Sequence, residues 1–293
     1  MKHAYMIMAH NQVELLNTLI KRLDDQNNDI IIHLDLKSKI KPEQIGGGIS
    51  NARIFFSDRV SVTWGGYSQI VAELCLMHMA REVGQHAYYH LLTGVDLPLK
   101  PIKEINNFFE NSGQKEFINY SHKEECNRQY NLRIKYLHYF RDKCGRSKNI
   151  YTIMNKLGIV IQKITKHTNG YPADKFYCGS AYWDITEDLL DYILEHEKEI
   201  EDTYKYTSCC DEVFVQSLVW NSPYRERLYV QELGNGYKGN MRWIDMERGQ
   251  NAGAYIIKKS DIDEIMKSGM LFARKFDYEK YPEAVTKVID SIK

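Results

Sequence analysis

The residues best suited to chemistry lie in "TSCCDEVFVQSL", Thr207 to Leu218, where two cysteines run into two acids. Val213, Phe214, Leu218 and Val219 recur at helical spacing, so Asp211 and Glu212 fall in the first turn of a predicted helix. Acids there ordinarily cap the helix or complement its dipole. The same position can also project a carboxylate into a cleft as a general base. The cysteines suggest no second chemistry. The six of them (Cys75, Cys126, Cys144, Cys178, Cys209, Cys210) contain no C-x-x-C pair, which argues against zinc, thioredoxin-like redox and a disulfide framework. Adjacent Cys209 and Cys210 cannot bridge without distorting the peptide between them.

A divalent cation would need clustered acids. The one literal D-x-D, Asp261-Ile262-Asp263, follows Ser260 at a predicted helix start, where acids serve the dipole. His33-Leu34-Asp35 puts two side chains on one face of a strand end and reads better as a polar ligand contact than as a metal site. Fixed cations offer another way to meet an anionic group. "LFARKFD" supplies Arg274 and Lys275, and "MERGQN" supplies Arg248. Such charges can neutralise a diphosphate without metal, although ordinary surface charge explains them equally.

The elements that must hold these residues alternate. "AYMIMAH" is a predicted strand, followed by the helix "VELLNTLIKRLDD" capped by Asn11, and "DIIIHLD" and "ARIFFS" are further strands. A helix from Ser68 to Val83 leads to the strand "YYHLL" and the turn "TGVDLPLKP". "QIGGGIS" reads as a surface loop, not a phosphate cradle. "YCGSAYWDIT" is a predicted buried strand, "EDLLDYILEHEKEIEDT" one helix, and "RWIDM" and "AYIIKK" short strands before a helix capped by Ser260. A final amphipathic helix closes the chain. The pattern implies an α/β fold with a mostly parallel sheet, whose ligands sit beyond the strands' carboxyl ends. Asp35 and Asp96 fall at such ends.

Of 293 residues, 39 are basic and 39 acidic, so no global charge points to nucleic acid. No apolar run reaches the length of a membrane span or a signal peptide. Cysteine use suggests a reducing cytoplasm. Charge is uneven locally: Arg128 to Lys166 holds ten Lys or Arg and one acid, Asp142. Within it Ile150, Ile153, Met154, Leu157, Ile161 and Ile164 recur at helical spacing, flanked by Lys148, Lys156, Lys163 and Lys166. Such a segment can lie on an anionic membrane; a core-packed helix with a solvated basic face fits as well.

Read together and in order, "AYMIMAHN", "IHLDLK", "WGGYSQIVAE", "YHLLTGVDLPLK", "GSAYW", "DEVFVQSL" and "LFARKFD" resemble the core-2/I-branching glycosyltransferases, glycosyltransferase family 14. The resemblance spans nearly the whole chain. It implies a single GT-A-type, Rossmann-like domain over residues 1–293, with a nucleotide-binding half (1–120) and an acceptor and catalytic half (121–293). It further implies a UDP-sugar donor, inversion at the anomeric carbon and no metal or other cofactor. By motif, Glu212 becomes the catalytic base, with Asp211 beside it a substrate contact, Lys275 a diphosphate contact, and Asp35 part of the uridine pocket. Asp96 and the "GSAYW" stretch, with Tyr182 and Trp183, become the donor-site floor. Tyr182 and Trp183 are also the aromatics expected to pack against the acceptor sugar.

The family's additional diphosphate arginine falls on Ala252 here. Arg248 and Arg274 are therefore the candidates to supplement Lys275. The missing secretory anchor of the animal enzymes suggests a bacterial, cytoplasmic member acting in surface polysaccharide synthesis. N-acetylglucosamine is the expected sugar, with xylose, galactose and N-acetylgalactosamine open, and the acceptor a glycan or lipid-linked oligosaccharide. Nucleic acid is not an expected partner. A non-catalytic sugar-binding relative is the rival reading, against which the retained Glu212 and Lys275 argue.

Overall fold

The computed structural model describes residues 1–250 and 253–292. In chain order the strands and helices are β1 (His3–Ala9), α1 (Val13–Arg22), β2 (Asn28–Leu34), β3 (Arg53–Phe56), α2 (Ser68–Val83), β4 (Tyr88–Thr93) and β5 (Leu97–Pro98). They continue with α3 (Ile102–Glu110), β6 (Phe117–Ile118), α4 (Lys123–Arg133), α5 (Arg141–Cys144), α6 (Ile150–Thr165), β7 (Trp183–Thr186), α7 (Glu187–Glu195) and α8 (Glu197–Tyr204). The last are α9 (Phe214–Trp220), β8 (Arg242–Ile244), α10 (Ile262–Met266), β9 (Phe272–Arg274) and α11 (Pro282–Ser291).

Six strands form the central sheet in the order β3-β2-β1-β4-β7-β6. The first four are parallel, while β7 runs antiparallel to both β4 and β6. Strand alternation divides the core between the two faces. Tyr5, Ile7 and Ala9 of β1 pack with Leu15 and Leu19 of α1, whereas Ala4 and Met6 pack with Ile70, Leu74 and Met77 of α2. Burial on both faces explains the near-continuous apolar strands. The strand order reverses between β1 and β4, which opens a crevice at their carboxyl ends. This is the expected α/β architecture.

A smaller sheet, β5-β9-β8, closes over that end. Its β5 comes from before residue 120 and its β8 and β9 from after it, and β6 and β7 likewise pair across that boundary. One buried cation fastens the two sheets. Arg242 of β8 holds Asp184 of β7 through both carboxylate oxygens (2.6 and 2.9 Å) and donates to the Leu91 carbonyl of β4 at 3.0 Å. His90 completes the cluster, 2.9 Å from Asp184 and 3.0 Å from His3.

Several boundaries depart from the sequence reading. Gln12, not Asn11, precedes α1; it adopts a left-handed conformation (φ 54°), and its side chain accepts from the Tyr278 N–H at 2.7 Å. "YCGSAYWDIT" is strand only from Trp183 to Thr186. The long predicted helix after it breaks at His196, whose ring nitrogen turns back onto the Tyr192 carbonyl at 2.8 Å. "AYIIKK" forms no strand, though its backbone bridges the tip of the small sheet through Tyr255 N–H to Asp245 and Ile257 N–H to Lys275. Ser260 does not cap; Asp261 accepts from the Lys258 N–H at 2.9 Å instead.

Candidate functional site

The two acids do not begin an α-helix. Cys210–Glu212 form a 3-10 turn, Val213 breaks the backbone (φ −136°, ψ −43°), and α9 starts at Phe214. A left-handed Cys209 (φ 53°) sets up the turn, its N–H donating to the Gly65 carbonyl at 2.8 Å. Gly65 is needed there: it has φ 73°, and a Cβ would lie 2.3 Å from Arg141 and 2.8 Å from the Cys209 sulfur. The Glu212 carbonyl accepts from Gly179 at 3.0 Å, which ties the turn to "GSAYW".

The turn separates the neighbouring carboxyls. Glu212 is partly exposed (36% of the side chain) and pairs with Arg133 of α4 at 2.7 Å. Arg133 is held in turn by the Gln129 side chain (2.7 Å) and the Cys209 carbonyl (2.8 Å). Burial opposes the Arg133 charge, but Glu212 with Cys209 and Cys210 raises the proton affinity of the guanidinium overall. Asp211 points inward and accepts from Gln69 of α2 at 2.8 Å, so it does not cap. Burial, and then the charge of Glu212, push the Asp211 carboxyl up to about 7. One turn further along α2, buried Glu73 is pushed well up by burial and then by Asp211, with the Trp183 indole working the other way. Glu73 Oε2 and Asp211 Oδ1 have no hydrogen-bond partner among the described residues. Two protonatable acids thus lie beneath one accessible carboxylate. That arrangement can accept a proton at Glu212.

Cations gather at the carboxyl ends of the parallel strands. Asp96, in the turn after β4, accepts from the Thr93 N–H (2.8 Å) and hydroxyl (2.9 Å) and from Arg274 at 3.0 Å. The Arg274 guanidinium lies 4.2 Å from the Tyr182 ring centre. Burial lowers its proton affinity, and Asp96 restores part of it. Next to it, the Lys275 ammonium is lowered first by burial and then by Arg274, with Arg146 acting in the same direction. Lys275 forms no ion pair among the described residues. His10, directly after β1, feels both Asp35 and Lys275. Asp35, after β2, accepts from the Lys37 N–H at 2.8 Å. Asp35, Asp96, Arg274, Lys275 and Tyr182 therefore share one end of the sheet, where an anionic ligand can be met by a cation that forms no ion pair among the described residues.

Other expected residues lie elsewhere or are engaged. Trp183 is fully buried, which removes it from the wall of an open acceptor cleft. Arg248 is neutralised by Asp245 and Asp261, the latter at 3.1 Å, so it is a poor choice for a second diphosphate cation. Asp263 pairs with Lys287 at 2.7 Å, so both acids of the D-x-D are occupied by cations. His33 is buried and accepts from the Val60 N–H at 2.9 Å. Ala252 lies outside the described residues. Among the described residues no group of three or more His, Cys, Asp or Glu is placed to hold a metal ion.

The sequence reading missed Gln69, Glu73, Arg133 and Tyr237. Burial, then the nearby charges of Glu212 and Asp245, push the Tyr237 hydroxyl up to about 12. Gln69 and Glu73 carry a legible signal, since an amide and an acid four apart on an otherwise apolar helix face need a polar reason to be buried. Arg133 and Tyr237 carry none.

A family model described as Core-2/I-Branching enzyme matches residues 3–266. A human N-acetyllactosaminide β-1,6-N-acetylglucosaminyl-transferase is 27% identical over 96% of this chain and 70% of its own length. A human β-1,3-galactosyl-O-glycosyl-glycoprotein β-1,6-N-acetylglucosaminyltransferase is 26% identical over 67% of this chain, which spans only 42% of that protein. Among solved structures, a putative glucose-1-phosphate thymidylyltransferase from Bacillus anthracis is similar at a TM-score of 0.33 and 11% identity, covering 69% of this chain and 78% of that one. At that level the fold assignment rests on the strand order itself.

Proposed function

Since this chain belongs to the Core-2/I-branching enzyme family, a family of glycosyltransferases, we propose that it moves a sugar from a UDP-sugar to a glycan hydroxyl with inversion and without metal. N-acetylglucosamine is the sugar we favour, because both human relatives carry it in their names. Glu212 takes the proton of the acceptor hydroxyl as that oxygen attacks the anomeric carbon. The new C–O bond forms as the bond to the diphosphate oxygen breaks on the opposite face. The electron pair leaves with UDP, and its charge is met by Lys275, supported by Arg274. The observation that carries this reading is the division of labour between an accessible carboxylate, held by Arg133, and an ammonium at the strand ends that forms no ion pair among the described residues.

Asp35 is assigned to the nucleoside side of the same crevice and Tyr182 to the sugar side. Asp96 acts by holding Arg274. A bacterial cytoplasmic setting and surface-glycan synthesis belong to the same proposal. No described helix is long and apolar enough to cross a membrane. The experiment is UDP release from a panel of UDP-sugars, with and without glycan acceptors, in excess EDTA. Acceptor-dependent release in EDTA is expected. Activity abolished by EDTA and rescued by manganese, or no release from any donor, would overturn it.

A further inference from the structure

Transfer chemistry leaves α6 without a role, and α6 is built inside out. Asn149 starts it by accepting from the Thr152 N–H at 3.1 Å. Its two amides face the protein. Buried Gln162 accepts from the Leu137 N–H (2.8 Å) and donates to the Leu137 carbonyl (2.9 Å), and the Asn155 amide lies 3.2 Å from His138. Its apolar residues face outward: Ile153 is 64% exposed, Leu157 58%, Val160 50%, Ile161 51% and Ile164 76%. They form a continuous stripe at three- and four-residue spacing. A solvent-facing helix normally has the opposite orientation, and an apolar patch of this kind marks a docking surface.

The rim of the stripe identifies what it meets. Lys156 and Lys163 flank it one heptad apart, and Lys148 and Lys166 stand at its ends. Asp142, the one acid between Arg128 and Lys166, is turned inward onto the Tyr67 N–H (3.1 Å) and the Ser68 hydroxyl (2.6 Å). We infer that α6 docks the protein on an anionic lipid surface, its isoleucines and leucine entering the acyl boundary and its lysines meeting the headgroups.

Docking here also orients the cleft. Arg141, which opens α5, donates to the Gly65 carbonyl at 3.1 Å, and Arg146, between α5 and α6, lies 4.1 Å from the Trp64 ring centre. The lipid-facing helix is thus anchored to the loop that positions the Glu212 turn. An acceptor saccharide carried on a membrane lipid would reach the base in two dimensions. That last step rests on the transferase reading; the docking does not.

The test is flotation of the full chain with phosphatidylglycerol-containing vesicles and with pure phosphatidylcholine vesicles, at low and high salt. The wild type should float with the anionic vesicles, less so in high salt. Leu157→Asp should weaken binding about tenfold or more, and Lys156→Glu with Lys163→Glu roughly fivefold per charge. All these positions are exposed, and unchanged thermal unfolding would verify that the variants fold. Absent flotation, equal flotation with neutral vesicles, or a solution dimer that Leu157→Asp dissolves would overturn the inference. UDP release on a soluble acceptor should be unchanged in the variants. It reports on catalysis alone, so the two readings fail separately.

Discussion

Two adjacent carboxyls at residues 211 and 212 behave differently because the chain turns one inward and the other outward. Glu212 keeps the access to solvent that a base needs, and Arg133 fixes where its carboxylate points. Glu212→Gln retains the shape and removes the basicity, so acceptor-dependent turnover should drop on the order of 10²- to 10⁴-fold with UDP affinity nearly unchanged. Turnover within a few-fold of wild type would remove Glu212 from this role. Asp211, raised by burial and then by Glu212 to about 7, changes charge near neutrality. Above that pH it becomes a second negative charge beside Glu212, and its field draws the acceptor proton toward that wall of the cleft. The kcat/KM profile should therefore rise through about 7, and Asp211→Asn should flatten that limb. A limb that survives in Asp211→Asn belongs to another group. Lys275→Ala should cost roughly 10²-fold in turnover by removing a preorganised charge, whereas Arg248→Ala, already neutralised, should do little. Glu212 and Lys275 could be singled out from the sequence because each sits in its own short motif. Gln69 signalled only that some polar group must face it; its partner Asp211 lies 142 residues away, and only folding brings them together.

At the scale of elements, what aims Lys275 is the small sheet, and what holds the small sheet is Arg242. Burial alone would push the Asp184 carboxyl up, but Arg242 and His90 outweigh it and hold it below the usual carboxylate range. Removing the arginine leaves that charge buried without compensation. Arg242→Met should therefore cost about 3–5 kcal/mol in denaturant unfolding, and adding Asp184→Asn should recover part of the loss. A loss below about 1 kcal/mol would mean that the clamp contributes little. Strands such as "DIIIHLD" were readable because a strand buried on both faces is apolar through its middle, here Ile30 to Ile32. The breaks at His196 and Val213 were not, because apolar spacing runs straight through both and the interruption comes from tertiary packing. The orientation of α6 was also open in the sequence, since an amphipathic pattern does not say which face the protein takes. Gln162 and Asn155 decide it by bonding to the 137–138 backbone and side chain.

Over the whole molecule, buried ionisable groups tie stability to pH from both sides. On the acid side, burial lowers His3 to about 2 and His138 to about 4, and holds His33, His86 and His90 below their ordinary value. An unfolded histidine takes up its proton near 6.5, so these groups cost stability as pH falls below that value. On the alkaline side, burial raises Glu116 to about 7 against its bonds to Thr186 and its pairing with Arg227, raises Asp211 to about 7, and raises Glu73 well above its ordinary value. These carboxyls are raised relative to the unfolded chain, so their contribution is full below about 4.5 and is lost as pH climbs through the folded values. Between about 4.5 and 6.5 the two sets oppose each other. Above 6.5 the histidines no longer contribute and only the acids act. Unfolding free energy should therefore peak near neutrality on its acid side, at about pH 6 to 7, and fall both ways. Glu73→Gln keeps the shape and cannot ionise, so its loss of stability between pH 7 and 9 should be shallower than that of the wild type. Urea titrations at pH 5, 6.5, 8 and 9 measure this directly. A wild-type curve that is flat above pH 7, or one whose slope Glu73→Gln leaves untouched, would show that Glu73 is ionised in the folded protein.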